Sequence, residues 1–141
     1  METPVTDLVT HLQGTLDAVA APFVASLQLQ VTEAQLDRVR LTLPVAPALV
    51  HGGGVVCGQA LMAAADTAMS LAVSTDEQGV RPMTTVQLQT SFLRPVPGDA
   101  SHVTLVCRVL RRGRNLVFGD VELTGPDGRL VAQATTTYAL L

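Results

Sequence analysis

One acidic side chain, Asp66, interrupts a run that is otherwise small and apolar from Val55 to Val73, and it is the sole formal charge between Arg40 and Asp76. A carboxylate is rarely left among Ala, Leu and Met, because removing its water is costly unless other groups replace it. Apolar surroundings are also where its proton affinity can be tuned, so catalysis is one candidate role for Asp66. A subunit contact, or the cap of a neighbouring helix, would accommodate the charge equally well. Cys57 stands near the start of the same run, where an acidified thiol with His51 as its base is conceivable. No third group that would orient the histidine is evident, and a free cysteine is more often a small buried hydrophobe, so Cys57 ranks below Asp66. Ser70 follows Asp66 by one helical turn, so its hydroxyl shares that face and could hold a water. The alternative is a bond back to its own helix backbone. Arg81, Arg94, Arg112 and Arg114 carry guanidinium forks suited to phosphate and fall near turns.

Other chemistries lack their signatures. There is no G-x-S-x-G, so His51-Gly52-Gly53-Gly54 is not the oxyanion loop of an α/β-hydrolase. Neither a P-loop nor a dinucleotide fingerprint occurs, and His11, His51 and His102 show no zinc spacing. No metal or redox cofactor is expected. All nine basic residues are Arg, the net charge is −3, and aromatics are limited to Phe23, Phe92, Phe118 and Tyr138. Such a chain offers nucleic acid neither a basic field nor a stacking platform. Cys57 and Cys107 fit reduced thiols in a cytoplasm, and the acidic first twenty residues do not read as a secretory signal. The central apolar run suggests a buried helix of a soluble protein more than a membrane span, given Asp66 and its Ala, Gly, Ser and Gln content.

The elements that must position these groups can be read from periodicity. At 141 residues the chain is expected to be one domain, 1–141. Leu8, Leu12, Leu16 and Val19 recur at helical spacing and predict an N-terminal helix within residues 1–22 that Pro22 breaks. Leu27, Leu29 and Val31 alternate, as do Val39, Leu41 and Leu43, around a polar turn at Thr32–Asp37. A Pro- and Gly-rich loop then leads into a helix over about 57–75, apolar nearly all round and so buried on all sides. Four alternating segments follow, carrying Val86 to Phe92, Val103 to Val109, Val117 to Leu123 and Leu130 to Tyr138. An apolar helix followed by antiparallel strands predicts an α+β fold with a curved sheet wrapped around that helix.

This order, with these residues, resembles the hotdog-fold thioesterases, in particular their phenylacetate-degradation (PaaI-like) branch. That family carries a His-Gly-Gly turn at the entry of its central helix and an acid nine positions after the His. Laid on His51-Gly52-Gly53, the pattern puts Ala60 where the acid belongs. Laid on Ala65-Asp66-Thr67-Ala68, it puts Cys57-Gly58-Gln59 on the turn, with Cys57 replacing the usual His, and this register is preferred. Thr85 to Asp99 is similar to the family's strand and bend after the helix, and Arg111 to Arg114 and Asp127 to Tyr138 to its last hairpins.

The resemblance implies hydrolysis of an acyl-CoA thioester, aromatic (phenylacetyl or hydroxyphenylacetyl) or short to medium in chain length. Coenzyme A would enter as part of the substrate. It makes Asp66 the base or nucleophile and the Gly58 N–H the oxyanion donor, which a helix N-terminus suits. His51 occupies a position where relatives carry an orienting Asn or Gln. Cys57, Gln59, Ser70, Thr84, Thr85, Arg112 and Arg114 become candidate substrate or coenzyme A contacts, with the acyl group beside Leu61, Met62 or Met69. Gly58 and Asp66 are eight residues apart, about 12 Å along a helix. One helix cannot bring both to a single carbonyl at about 3–3.5 Å, whereas two antiparallel helices around a two-fold axis can. A homodimer with composite sites is therefore expected, doubled to a homotetramer. The competing reading is a non-catalytic hotdog protein that binds acyl-CoA.

Overall fold

The computed structural model describes residues 5–141. In chain order the elements are α1 (Val5–Val19), α2 (Pro22–Ala25), β1 (Gln30–Gln35), β2 (Arg38–Pro44), a 3-10 turn at Pro47–Leu49, α3 (Gly58–Val73), β3 (Met83–Phe92), β4 (His102–Arg112), β5 (Leu116–Thr124) and β6 (Leu130–Leu140). The six strands make one antiparallel sheet in the order β1-β2-β4-β5-β6-β3. Helix α3 packs across β2 to β6, which is the expected α+β hotdog arrangement. The order leaves β1 and β3 as edges.

Alternation builds the core. Val39, Leu41 and Leu43 of β2, Val103, Leu105 and Cys107 of β4, and Val117, Val121 and Leu123 of β5 are fully buried on the side of α3. The helix answers with Ala64, Ala65, Ala68 and Ala72, whose small side chains let it lie close to the sheet. The approach is tightest at Gly119 of β5, where a Cβ would sit 2.5 Å from the Met69 sulfur. Met69 is thus a core residue beside Cys107, which corrects its assignment to an acyl pocket.

Three expectations change. The N-terminal helix ends at Val19, and Pro22 opens α2 as a first-turn proline, a position that needs no N–H; residues 1–4 lie outside the described residues. The turn expected at Thr32–Asp37 shrinks to Leu36–Asp37, with Asp37 at φ 65, because most of that polar patch belongs to β1. An edge strand can turn polar residues to solvent, so polarity there did not mean a loop. Finally, α3 is not buried all round: Gly58, Gln59, Met62, Ala63, Asp66 and Ser70 form a stripe of partial or full exposure. That stripe lies at helical spacing, and it carries the carboxylate.

Candidate active site

Asp66 sits near the middle of α3, and two hydroxyls from the sheet meet it. Thr85 of β3 donates to Asp66 Oδ1 at 2.7 Å. Tyr138 of β6 reaches the same oxygen at 2.7 Å and the Asp66 main-chain oxygen at 2.8 Å. The strand register explains the convergence, since Thr85 and Tyr138 are directly opposite each other across β3 and β6. Tyr138 is 4 % exposed. Burial, and then its bond to Asp66, push the phenol well above the ordinary tyrosine range, so it stays a protonated donor.

A β-bulge decides which threonine serves. Strict alternation of Val86, Leu88, Thr90 and Phe92 would put Thr84, not Thr85, on the face of α3. The register shifts between Thr85 and Gln87, so Val86 drops out of the alternation and stands 58 % exposed. Thr85 is thereby turned toward Asp66, while Thr84, opposite Ala139, falls on the other face. Both threonines remain open to solvent, as β3 is an edge. Tyr138 was passed over in the sequence because it reads there only as one more position of an alternating strand.

Gly58 is the first residue of α3, so its N–H has no partner four residues back in the helix. The helix entry is thus Cys57-Gly58, as the preferred register required, and not His51-Gly52. A Cβ on Gly58 would lie 3.2 Å from Cζ of Phe92, so the absence of a side chain leaves room for that ring. Beside Gly58 is a cavity of about 380 Å³ walled by Val56, Leu61, Phe92 and Leu93, with Arg94 among its lining residues. Cys57 is the half-buried N-cap residue, extended at φ −68, ψ 146, and its N–H is donated to the Leu49 oxygen at 2.8 Å. Gln59 is exposed in the first turn.

His51 lies in the exposed loop before the helix. Its Nδ1 accepts a bond from the Gly53 N–H at 2.8 Å, which assigns the proton of the neutral ring to Nε2. A Cβ at Gly53 would fall 2.7 Å from His51 Cε1, so that glycine is needed for the ring to fold back. Ser70 donates to the Thr67 oxygen at 2.7 Å, the backbone bond weighed for it, and leaves no proton for a water.

The arginines divide. Arg112 belongs to β4, not to the turn, and its guanidinium is committed within the chain. Its Nε binds Asp37 at 2.6 Å, its Nη1 binds Asp76 at 3.1 Å, and its Nη2 reaches the Ala72 and Val73 oxygens. It therefore closes the C-terminus of α3 and is not free to grip a phosphate, a correction to its expected role. Arg81 grips Asp76 through both nitrogens at 2.7 and 2.9 Å, and one Arg94 nitrogen serves the Leu130 oxygen. Arg114 is exposed at the β4–β5 turn. The structure thus gathers Asp66, Thr85 and Tyr138, and holds Gly58 two helical turns away on the same helix.

Known proteins share the fold. The sequence profile of the thioesterase superfamily matches residues 53–132. The PaaI protein of the Escherichia coli phenylacetic acid degradation operon superposes with a TM-score of 0.84 at 17 % identity, covering 98 % of this chain and 96 % of that one. Zebra fish thioesterase superfamily member 2 gives 0.84 at 22 % identity, covering 99 % and 100 %. A point mutant of the phenylacetic acid degradation protein PaaI from Thermus thermophilus gives 0.76 at 26 % identity, covering 86 % and 100 %. With the profile spanning more than half of its length, the chain belongs to the thioesterase superfamily and carries the hotdog fold of enzymes that hydrolyse acyl thioesters.

Proposed function

We propose that the protein hydrolyses an acyl-CoA thioester to the free acid and coenzyme A, at two equivalent sites built across a homodimer. The observation that carries this reading is the Asp66 carboxylate, held by two hydroxyls on the open stripe of α3. The same side of the molecule offers the matching surface. Among the described residues strand β3 pairs with β6 alone, and Val86 and Phe92 of this edge strand, with Leu93 just after it, are each at least half exposed. A ten-residue edge with apolar side chains is a template for another strand. Pairing β3 with its symmetry mate would bring two α3 helices together in opposite directions, each Asp66 facing Gly58 of the second subunit. Two such dimers would make the tetramer.

The chemistry then follows. The thioester carbonyl accepts a hydrogen bond from Gly58 N–H, and the His51 Nε2–H is a second donor of suitable type for orienting it. Asp66 either takes a proton from water as the resulting hydroxide adds to the carbonyl carbon, or adds itself. In the first route the tetrahedral oxyanion rests on Gly58, the C–S bond breaks, and the proton on Asp66 passes to the leaving sulfur. In the second, an anhydride forms as the thiolate leaves, and water then cleaves it to restore Asp66. Neither route draws on a metal or redox cofactor.

The acyl group fits the apolar cavity beside Gly58, with the Phe92 ring as one wall. That wall suits an aromatic acyl group, and the PaaI likeness points to phenylacetyl or hydroxyphenylacetyl; short to medium chains are the remaining class. Arg114 and the exposed Gln59 are the candidates left to meet the coenzyme. Thiol release from a panel of aromatic, short, medium and long acyl-CoAs, wild type against Asp66→Ala, tests the proposal. Release lost in the variant supports it. Acyl-CoA binding with no turnover of any thioester would establish the non-catalytic alternative.

A further inference from the structure

The carboxylate of Asp66 is held asymmetrically. Both sheet hydroxyls point to Oδ1, and the Tyr138 proton is shared between Oδ1 and the main-chain oxygen of the same residue. A hydroxyl that bridges a carboxylate oxygen and the main-chain oxygen of the same residue resists rotation of that side chain. With two donors on Oδ1, that oxygen is saturated. The second oxygen, Oδ2, receives neither hydroxyl, and its residue lies on the partly exposed stripe of α3.

We infer that Tyr138 is a positioning residue which, with Thr85, occupies Oδ1 and leaves Oδ2 as the reacting oxygen of Asp66. This deepens the proposed function and rests on it, but adds a residue from the far end of the chain and selects one atom of the carboxylate. It holds for either route: Oδ2 takes the proton of water or forms the new bond to the acyl carbon, while Oδ1 keeps both donors. Tyr138 is suited to the task because it is buried and cannot drift into solvent, and burial holds its phenol in the protonated, donating form beyond the ordinary tyrosine range. It does not touch substrate. Its effect should be on turnover and not on binding.

Tyr138 is the only tyrosine and the chain has no tryptophan, so tyrosine emission reports on this one ring. A phenol bonded to a carboxylate emits weakly, so Asp66→Asn should brighten it; equal emission from wild type and variant would overturn the inference. In Tyr138→Phe, which keeps the buried ring, kcat should fall about ten- to hundredfold, the loss of one bond to a charged group, with KM within about twofold. A raised KM with unchanged kcat would overturn it. If Tyr138→Phe does not fold, global 3-fluorotyrosine alters this hydroxyl alone and should change kcat but not KM; an unchanged kcat overturns the inference. Absence of any thioesterase activity in the wild type would defeat the proposed function, whereas activity with unchanged emission would defeat this inference alone.

Discussion

The composite site can be tested by removing its halves from different chains. Gly58→Pro deletes the oxyanion donor without breaking α3, because a first-turn proline has no intrahelical bond to lose. The preceding residue must be extended, and Cys57 already is, at φ −68, ψ 146. The added ring crowds Phe92, whose Cζ lies 3.2 Å from the Cβ position, but that side chain is 51 % exposed and can turn aside. Gly58→Ala carries the same Cβ with its N–H intact, so any further loss in the proline variant belongs to the donor. That loss should be about 10²- to 10³-fold in kcat. Asp66→Ala should lose about 10²- to 10⁴-fold.

Mixing the two inactive proteins is then quantitative. In a heterodimer one site inherits both defects and the other inherits neither. Random exchange of equal amounts makes about half of the dimers mixed, each with one intact site of two, so about one quarter of wild-type activity per chain should return. The assay is thiol release before and after exchange, with mixed dimers verified by differential tags. Activity no higher than that of the separate parents, with exchange demonstrated, would refute the geometry. So would wild-type turnover in Gly58→Pro.

Arg112→Ala should lose about 2–4 kcal/mol of stability in urea denaturation at fixed protein concentration, since it strips partners from Asp76 and from two helix-end carbonyls. The Asp37 arm, with its carboxylate 37 % exposed, should contribute little to that sum. A stable Arg112→Ala with a raised KM would return Arg112 to the coenzyme. The Asp76 carboxyl is pushed up by burial, but the Arg81 bond and the Arg112 and Arg81 charges outweigh this and hold it below its usual range. Its stabilisation is therefore full above pH of about 4 and is lost as pH falls through the lower folded value. Asp76→Asn should flatten that acid limb of a stability–pH curve; an unchanged limb would assign the effect elsewhere. Gly119→Ala should cost about 1–3 kcal/mol, because its Cβ would meet the Met69 sulfur at 2.5 Å and the Arg108 backbone oxygen at 2.9 Å. Wild-type stability in that variant would show the core to be looser than drawn. A thiol reagent should titrate Cys57 in the native protein and Cys107 only after denaturation, as Cys107 is fully buried and its thiol is pushed far up by that burial. Two thiols reacting together would refute this.

What the sequence could reveal divides along the range of the forces involved. Asp66 was legible because its signal is contrast with adjacent residues, and α3 because a long run of small, apolar helix formers bounded by a Pro- and Gly-rich loop is a local signal. The second half of the chain was legible as strands by alternation. Arg112 was misread because Gly113 marks a turn, and nothing local says that β4 runs to the residue before it or that Asp37, 75 residues earlier, awaits its guanidinium. The threonines show the limit most sharply. Thr84 and Thr85 are both candidates on paper, alternation alone favours Thr84, and only the bulge at Val86, set by pairing with β6, turns Thr85 toward the carboxylate.

Tyr138 shows why a half-site could be found by reading and its support could not. It is 72 residues from Asp66, and its hydroxyl arrives there because β6 lies beside β3 and both pack on α3. A strand position carries no mark of which helix residue it will meet. A charge out of place therefore marks where to look for a site, while the register of the sheet decides which of its oxygens the sheet hydroxyls occupy. Here both fall on Oδ1, and Oδ2 is the oxygen proposed to react, so that proposal depends on a bulge in an edge strand.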